Sequence, residues 1–535
     1  MVVSWGMLTD TTTALPDDPE ELKRIIIRLQ REQKRSSQEI DLLREQIRLL
    51  YAKLFGKKSE KRAEESTNPQ LSLFDMPEPA GIEPEREDVN IPAHTRQKRG
   101  RRPLPAELPR VEVIHDIDEA DKTCGCGAAL SQIGEDVSEK LDIIPAVIQV
   151  IRHIRPKYAC RQCEGLETVG GTVKIAPPPR QIIDKGIATA GLLAHILTAK
   201  FCDALPFYRQ EKQFSRLGAD LGRATMCNWA MKVAAACQPV LDLLHREIRS
   251  GPLINIDETT VQVLDEPGRA ATTKSYMWVC RGGSPGNPGI LYHYAPSRSS
   301  AVAKALLGDY EGVVQTDGYG GYDFLDQHPK IVHAGCLAHV RRKFDEARKG
   351  LGKAATKTGS ADVALSYIGK IYRIEAEARR KKMTDEQLLA ERRDKARPIF
   401  AEFFAWLSKK TFQVVPKSLM GIAVNYALGQ WDKLLVYLDH ADMSPDNNYA
   451  ENAIRPFVVG RKNWLFSGTQ EGAQASALLY SLIETAKANA LEPYKYLRYL
   501  FEKLPFAATT EEYSALLPMN LKAEDLVLGF GTTGV

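Results

Sequence analysis

The chain has 535 residues, 44% of them hydrophobic and 26% charged, with a formal net charge of +4. That length and composition fit a globular protein of several domains. No apolar run approaches the ~20 residues of a membrane span. The opening MVVSWGMLTDTTT lacks the basic start and apolar core of a secretory signal, so a cytoplasmic location is expected, where close cysteine pairs are more often metal ligands than disulfides.

Residues 19–58 read as one long helix. With Leu22 as a d position, the d series is Leu22, Leu29, Ser36, Leu43, Leu50 and the a series is Ile26, Gln33, Ile40, Ile47, Leu54. Only Gln33 and Ser36 interrupt this apolar seam, which predicts a coiled-coil homodimer with a polar layer that sets its register. Residues 59–104 form a linker rich in Pro, Glu and charge. It ends in Arg96, Lys98, Arg99, Arg101 and Arg102. Such a run cannot form a core. It is either a solvated linker or an arm along DNA phosphates or in the minor groove.

A zinc-binding domain is expected over 105–180. Cys124 and Cys126 make a C-x-C pair, and Cys160 and Cys163 a C-x2-C pair. Four thiolates in two close pairs suit one tetrahedral structural Zn²⁺. Between them KLDIIPAVIQVIRHIRPKYA reads as two strands. The other cysteines, Cys202, Cys227, Cys237, Cys280 and Cys336, sit singly in apolar surroundings and are expected in the core. Residues 181–250 turn helical, and two helices joined by a Gly-containing break at 218–222 have helix-turn-helix spacing. Arg223, Thr225 and Asn228 would face outward toward DNA, and Trp229 and Val233 inward.

From Pro252 the period changes. Three strands, a helix, a strand, then a further strand and helix is the order of a ribonuclease-H-like α/β core, assigned to 251–350 and 441–470. In that order the first and fourth strands are neighbours, with Asp257 near the end of one and Asp317 near the end of the other. Two such carboxylates repel unless a divalent cation lies between them. Glu451, early on a helix, is the third carboxylate of a site for two metal ions that serve in-line phosphoryl displacement. Glu258 points to the opposite strand face. Asn448 and Asn452 are placed to hydrogen-bond metal waters or DNA. Arg455 faces the same side as Glu451, and Arg461 and Lys462 are placed to hold phosphates. Trp464 is a core residue or a base-stacking one.

NIDETT, QTDGYGGY, HAGCLAHVRRKF and NNYAENAIRPFVVGRKNWLFSGTQEGA together closely resemble the DDE transposases of the insertion-sequence 66 family, the TnpC-type transposases, over about 26–517. The resemblance implies Asp257, Asp317 and Glu451 as the acidic triad, with two Mg²⁺ (or Mn²⁺). It makes Cys336 and His339 look like the C-x-x-H element that supports the site in many such enzymes. It implies a bacterial, nucleoid-associated transposase that cuts and joins DNA, with transposon ends, target DNA, itself and accessory element-encoded proteins as partners, and no membrane. A non-catalytic zinc and helix-turn-helix DNA-binding protein, or a ribonuclease-H-like nuclease without strand transfer, are the alternatives. The remaining segments are a helical insertion at 351–440, within which TDEQLLAERRDKARPIFAEFFAWL starts with a capping box at Thr384 and Gln387, and a C-terminal helical tail at 471–535. The whole is a multidomain α+β chain.

Overall fold

A computed structural model describes residues 18–55, 148–159, 173–351 and 359–526. Two units separate: Met1–Asp75 with Arg155–Val535, and Met76–Ile154. Arg96, Lys98, Arg99, Arg101, Arg102, Cys124, Cys126, Cys160 and Cys163 lie outside the described residues. Within 148–156 the expected strand is absent, and Ile148, Val150, Ile151 and Ile154 are exposed. Their alternation is matched by no strand partner among the described residues; pairing starts only where β1 (Lys157–Ala159) meets β2 (Val173–Ile175).

α1 (Pro19–Phe55) is one continuous helix. α2 (Ala190–Phe201) begins on Thr189, whose hydroxyl accepts the Leu192 N–H. α3 (Phe207–Arg216) and α4 (Arg223–Ala236) are joined by a turn in which Gly218 takes φ +83°, a region that favours glycine. Phe214 from α3 and Met226, Trp229 and Val233 from α4 share the core. Pro239 sits in the first turn of α5 (Gln238–Ser250), where no N–H is needed.

The sheet follows: β3 (Leu253–Asp265), β4 (Lys274–Ser284), β5 (Asn287–Ala295), then α6 (Ser300–Leu307), β6 (Gly312–Gln315), β7 (Ile331–Ala334) and α7 (Leu337–Leu351). The order is β5-β4-β3-β6-β7. β3, β4 and β5 are antiparallel, and β6 and β7 run parallel to β3. α5 lies close on one face. A Cβ at Gly289 would stand 2.6 Å from Ile248 Cγ1, so that approach needs glycine. On β6 successive residues enter different cores: Val314 joins the main one and Val313 a second one.

The second core belongs to α7 and the helical insertion: α8 (Ser360–Lys381), α9 (Asp385–Glu391), a π turn at Arg392–Ala396, α10 (Arg397–Thr411), α11 (Leu419–Gly429) and α12 (Trp431–Leu435). Phe344, Ile368, Ile371, Phe400, Phe403 and Val424 meet there. The capping box of Thr384 and Gln387 is present at α9.

α13 (Asn448–Trp464) returns over β3 and β4, and β8 (Ser467–Thr469) extends the far end of β3. The segment expected as a tail is part of the main core. α14 (Gln470–Ala488) covers β5, where the Thr485 hydroxyl bonds Ile290 N and O, and the Ser481 hydroxyl bonds Tyr292 N. Hydroxyls one helical turn apart thus satisfy the edge strand's backbone, which otherwise invites pairing with another chain. α15 (Pro493–Lys503) packs on α2. Cys237, Cys280 and Cys336 are buried, but Cys202 is half-buried and Cys227 exposed, contrary to expectation. Cys227 lies one helical turn on from the exposed Arg223, so the apolar residues beside it in sequence, such as the buried Met226, do not cover it.

α1 uses two faces. Glu45, Leu49 and Lys53 share one side by helical period. Leu49 is buried, Glu45 accepts the Leu419 N–H at 3.3 Å, and Lys53 pairs with Glu346 at 2.6 Å. The seam residues Ile26, Leu29, Ile40, Leu43, Ile47, Leu50 and Leu54 stay 46–70% exposed.

Candidate active site

The parallel register of β3 and β6 pairs Asn255 with Gln315. Asp257 lies two residues further along β3, on the face of Asn255 by period-two alternation, and Asp317 lies two residues past Gln315, just beyond the end of β6. α13 crosses that face and carries Glu451 in its first turn. Burial pushes the Asp257 carboxyl well above the ordinary range, and the negative charges of Glu258, Glu451 and Asp317 push it further. Burial likewise lifts Glu451 to about 7, with Arg342 opposing and Asp446 and Asp317 adding. Both Glu451 oxygens are buried without a hydrogen-bond partner. Mutually repelling carboxylates with orphaned acceptor atoms fit a hard divalent cation held by oxygen ligands.

Beneath the acids lies a layer of buried amides. Asn255 Nδ2 donates to Gln315 Oε1 at 2.8 Å and to Asn447 Oδ1 at 3.1 Å. Gln315 Nε2 donates to the Gly335 and Ser444 carbonyls at 3.0 Å each. Asn447 Nδ2 donates to the Ile256 carbonyl at 2.9 Å, and its backbone N–H to Cys336 Sγ at 3.2 Å. The three amides tie β3, β6, the end of β7 and the start of α13 together. An amide left unpaired here would cost about 1–3 kcal/mol, so the network fixes the approach of Glu451 to the strands. Sequence reasoning missed it. Its signal was the spacing: an amide two residues before each aspartate and four before the glutamate.

A second missed residue is Arg298. Its Nε pairs with Glu258, its guanidinium carbon lies 3.6 Å from the Tyr319 ring centroid, and its Nη2 is 3.9 Å from Asp317 Oδ2. Tyr322 donates its hydroxyl to the other Glu258 oxygen. Glu258, on the opposite strand face, thus reaches the site through an arginine. Asn448 donates to Asp446 Oδ2 at 3.1 Å, and Tyr372 of α8 donates to Asp446 Oδ1 at 2.6 Å. Burial raises Asp446 to about 6. Arg461 reaches Thr260 Oγ1 at 3.2 Å and Thr259 Oγ1 at 3.4 Å. Asn452 and Arg455 are half-buried and Lys462 exposed. Trp464 packs edge-on to Phe457 at 5.3 Å, against the core. Cys336 immediately precedes α7, and His339 in its first turn lies 3.7 Å from Glu451 Oε1. Burial first, then Arg342, lowers His339 to about 4. Arg223, Thr225 and Asn228 are exposed at the start of α4, away from this cluster in sequence and element.

The chain matches the model of the transposase IS66 family over residues 185–475. It matches the zinc-finger binding domain of transposase IS66 over 121–164, the transposase C of IS166 homeodomain over 42–113, and the IS66 C-terminal element over 481–519. The zinc-finger match contains all four paired cysteines and supports a structural zinc. The uncharacterized protein y4jD of Sinorhizobium fredii is 34% identical, over 96% of this chain and 98% of its own. The uncharacterized protein y4qI of the same organism is 29% identical, over 95% and 98%. No helix among the described residues is long and apolar enough to cross a membrane.

Proposed function

This chain belongs to the IS66 family of transposases, and from that premise we propose that it binds the ends of its mobile element and cuts and rejoins DNA at Asp257, Asp317 and Glu451. The observation that carries the reading is the placing of Glu451 on α13 over the strands that lead to Asp257 and Asp317, with both its oxygens buried and without a hydrogen-bond partner. An antiparallel meander flanked by two parallel strands supports a ribonuclease-H-like core. Asp257, Asp317 and Glu451 are the residues that would hold two Mg²⁺ or Mn²⁺ ions. When bound, such ions polarise the attacking oxygen and stabilise the leaving 3′-oxygen. The amide layer keeps the three carboxylates aimed at one place without reorganisation during the reaction. His339 stays neutral beside Glu451 at neutral pH, and Arg342 offers positive charge on the same helix. The deciding experiment incubates the purified chain and Mg²⁺ with DNA carrying the element's own ends. Nicked and joined products support the reading. Nicks alone favour the nuclease alternative, and neither product favours a DNA-binding protein.

Cys124, Cys126, Cys160 and Cys163 are proposed as the zinc ligands. Reduced protein should carry one zinc per chain, with sulfurs ~2.3 Å from it. Changing Cys160 to Ser should drop the content toward zero by metal analysis, and unchanged content would remove Cys160 from the ligand set.

The exposed seam of α1, opposite a face already used within the chain, supports a coiled-coil dimer. Full-length Ile40→Asp should sediment as a monomer where wild type is a dimer, because a charge at an a position must be desolvated or exposed. A wild-type monomer at high concentration would move pairing to another surface.

DNA contact is proposed to divide between two elements. Arg96, Lys98, Arg99, Arg101 and Arg102 would add affinity without sequence choice. The helix-turn-helix formed by α3 and α4 would read bases through Arg223, Thr225 and Asn228. Arg223→Ala or Asn228→Ala should cost about 1–3 kcal/mol on end DNA and little on random DNA in binding titrations. Equal losses on both would limit these residues to phosphate contact.

A further inference from the structure

Glu451 faces two kinds of donor. On the strand side are the carboxylates of Asp257 and Asp317. On the α7 side are a sulfur and a nitrogen. The ligating atoms of Cys336, His339 and Glu451 all lie within 4.8 Å of one another, and His339 Nδ1 is 3.7 Å from Glu451 Oε1. His339 Nδ1 and both Glu451 oxygens are buried, and none has a hydrogen-bond partner. Orphaned buried polar atoms are rare and costly, and here two carboxylate oxygens and a ring nitrogen converge with no hydrogen bond made by any of them. Arg342 Nη2, at 4.0 Å from Glu451 Oε2, is too distant to donate. Cys336 is held in place by the Asn447 N–H on its sulfur, a contact that a thiolate accepts more strongly than a thiol.

Oxygen-only sites suit Mg²⁺, whereas a sulfur, an imidazole nitrogen and one carboxylate oxygen suit a borderline-soft ion such as Zn²⁺. Three protein ligands leave a fourth position open.

We propose that Cys336, His339 and Glu451 form a second metal site, for Zn²⁺ or a similar thiophilic divalent ion, which draws Glu451 away from Asp257 and Asp317. Binding of the ion displaces the thiol proton of Cys336 to solvent. Zinc then competes with Mg²⁺ for one shared carboxylate and acts as an inhibitor. That consequence rests on the catalytic role given to Glu451 above; the metal site itself does not.

The test is a Co²⁺ titration of the full-length chain, stripped by chelation and reduced, read by d–d absorption and thiolate-to-cobalt charge transfer. Wild type should take up one equivalent more than Cys336→Ser or His339→Ala. Cys336→Ser should also lose the charge-transfer intensity of that equivalent. Cys227→Ser, which removes an exposed cysteine on α4, and Asp257→Asn should both keep it. Circular dichroism checks that each variant is folded. His339→Ala truncates a partly exposed side chain, so it serves should Cys336→Ser not fold. Equal uptake and equal spectra in wild type and His339→Ala would overturn the site. In end-cleavage assays, Zn²⁺ at concentrations that fill the site should slow the Mg²⁺ reaction at least tenfold; full cleavage with the site filled would overturn the competition for Glu451. The catalytic reading fails separately, if Asp257→Asn cuts at the wild-type rate whatever the cobalt titration gives.

Discussion

Asp257→Asn, Asp317→Asn and Glu451→Gln should each lower end cleavage by about a thousandfold or more, since a divalent ion supplies several kcal/mol of transition-state stabilisation. Each swap keeps the side chain's size and removes a metal-ligating charge. Binding to end DNA, measured in the presence of chelator, should stay within about twofold of wild type, because the exposed elements proposed for DNA contact are untouched. Stability gives an independent readout. In wild type the acids repel one another and are desolvated, so Asp257→Asn and Glu451→Gln should melt no lower than wild type without metal. Added Mg²⁺ should raise the wild-type melting temperature by binding the folded state and raise those of the variants less. A variant that cuts at the wild-type rate, or that gains as much from Mg²⁺, takes its residue out of the site.

Arg392→Met should destabilise the chain by about 3–5 kcal/mol. The guanidinium is 1% exposed, on the π turn between α9 and α10. Its five N–H groups are all used. Nε and Nη2 pair with the two Glu375 oxygens at 2.8 and 2.9 Å, and Nη1 and Nη2 reach the carbonyls of Tyr437, His440 and Met443 at 2.8 Å each. Removing it leaves a buried carboxylate unpaired and takes a donor from three carbonyls, of which those of Tyr437 and His440 keep a backbone N–H; breaking a buried pair from one side is strongly destabilising. Lysine is no substitute, as it lacks the planar fork. The double variant Arg392→Met, Glu375→Met should recover much of the loss. Urea unfolding of the full chain, followed by circular dichroism, measures this, and a loss under 1 kcal/mol for Arg392→Met would refute it. Cleavage should fall as well. The carbonyls at 437–443 belong to the segment that enters α13, so the insertion holds the start of the Glu451 helix as well as its own core.

Much of this protein is written in local periodicity. The heptad seam of α1, the alternation of β3, β4 and β5, and the capping box at Thr384 need only neighbours in sequence to be read, because side-chain direction repeats every 3.6 or two residues. The side-by-side placing of the strands that lead to Asp257 and Asp317 is read from the order of the elements, and β3 does pair with β6. What the tertiary structure alone decided are pairings between residues whose sequence spacing says nothing of distance. Asn255 meets Asn447 across 192 positions and Thr485 meets Ile290 across 195. Arg298 joins Glu258 to Asp317, the α14 helix of the expected helical tail covers β5, and α1 lays Leu49 on its own chain while its seam stays bare. The apolar stretch at 148–156 alternates like a strand yet pairs with none among the described residues. The physical reason is common to all of these. A period states which face a residue occupies, whereas the polar group that satisfies it on that face is supplied by whichever distant element packs there, and only the assembled core selects that element.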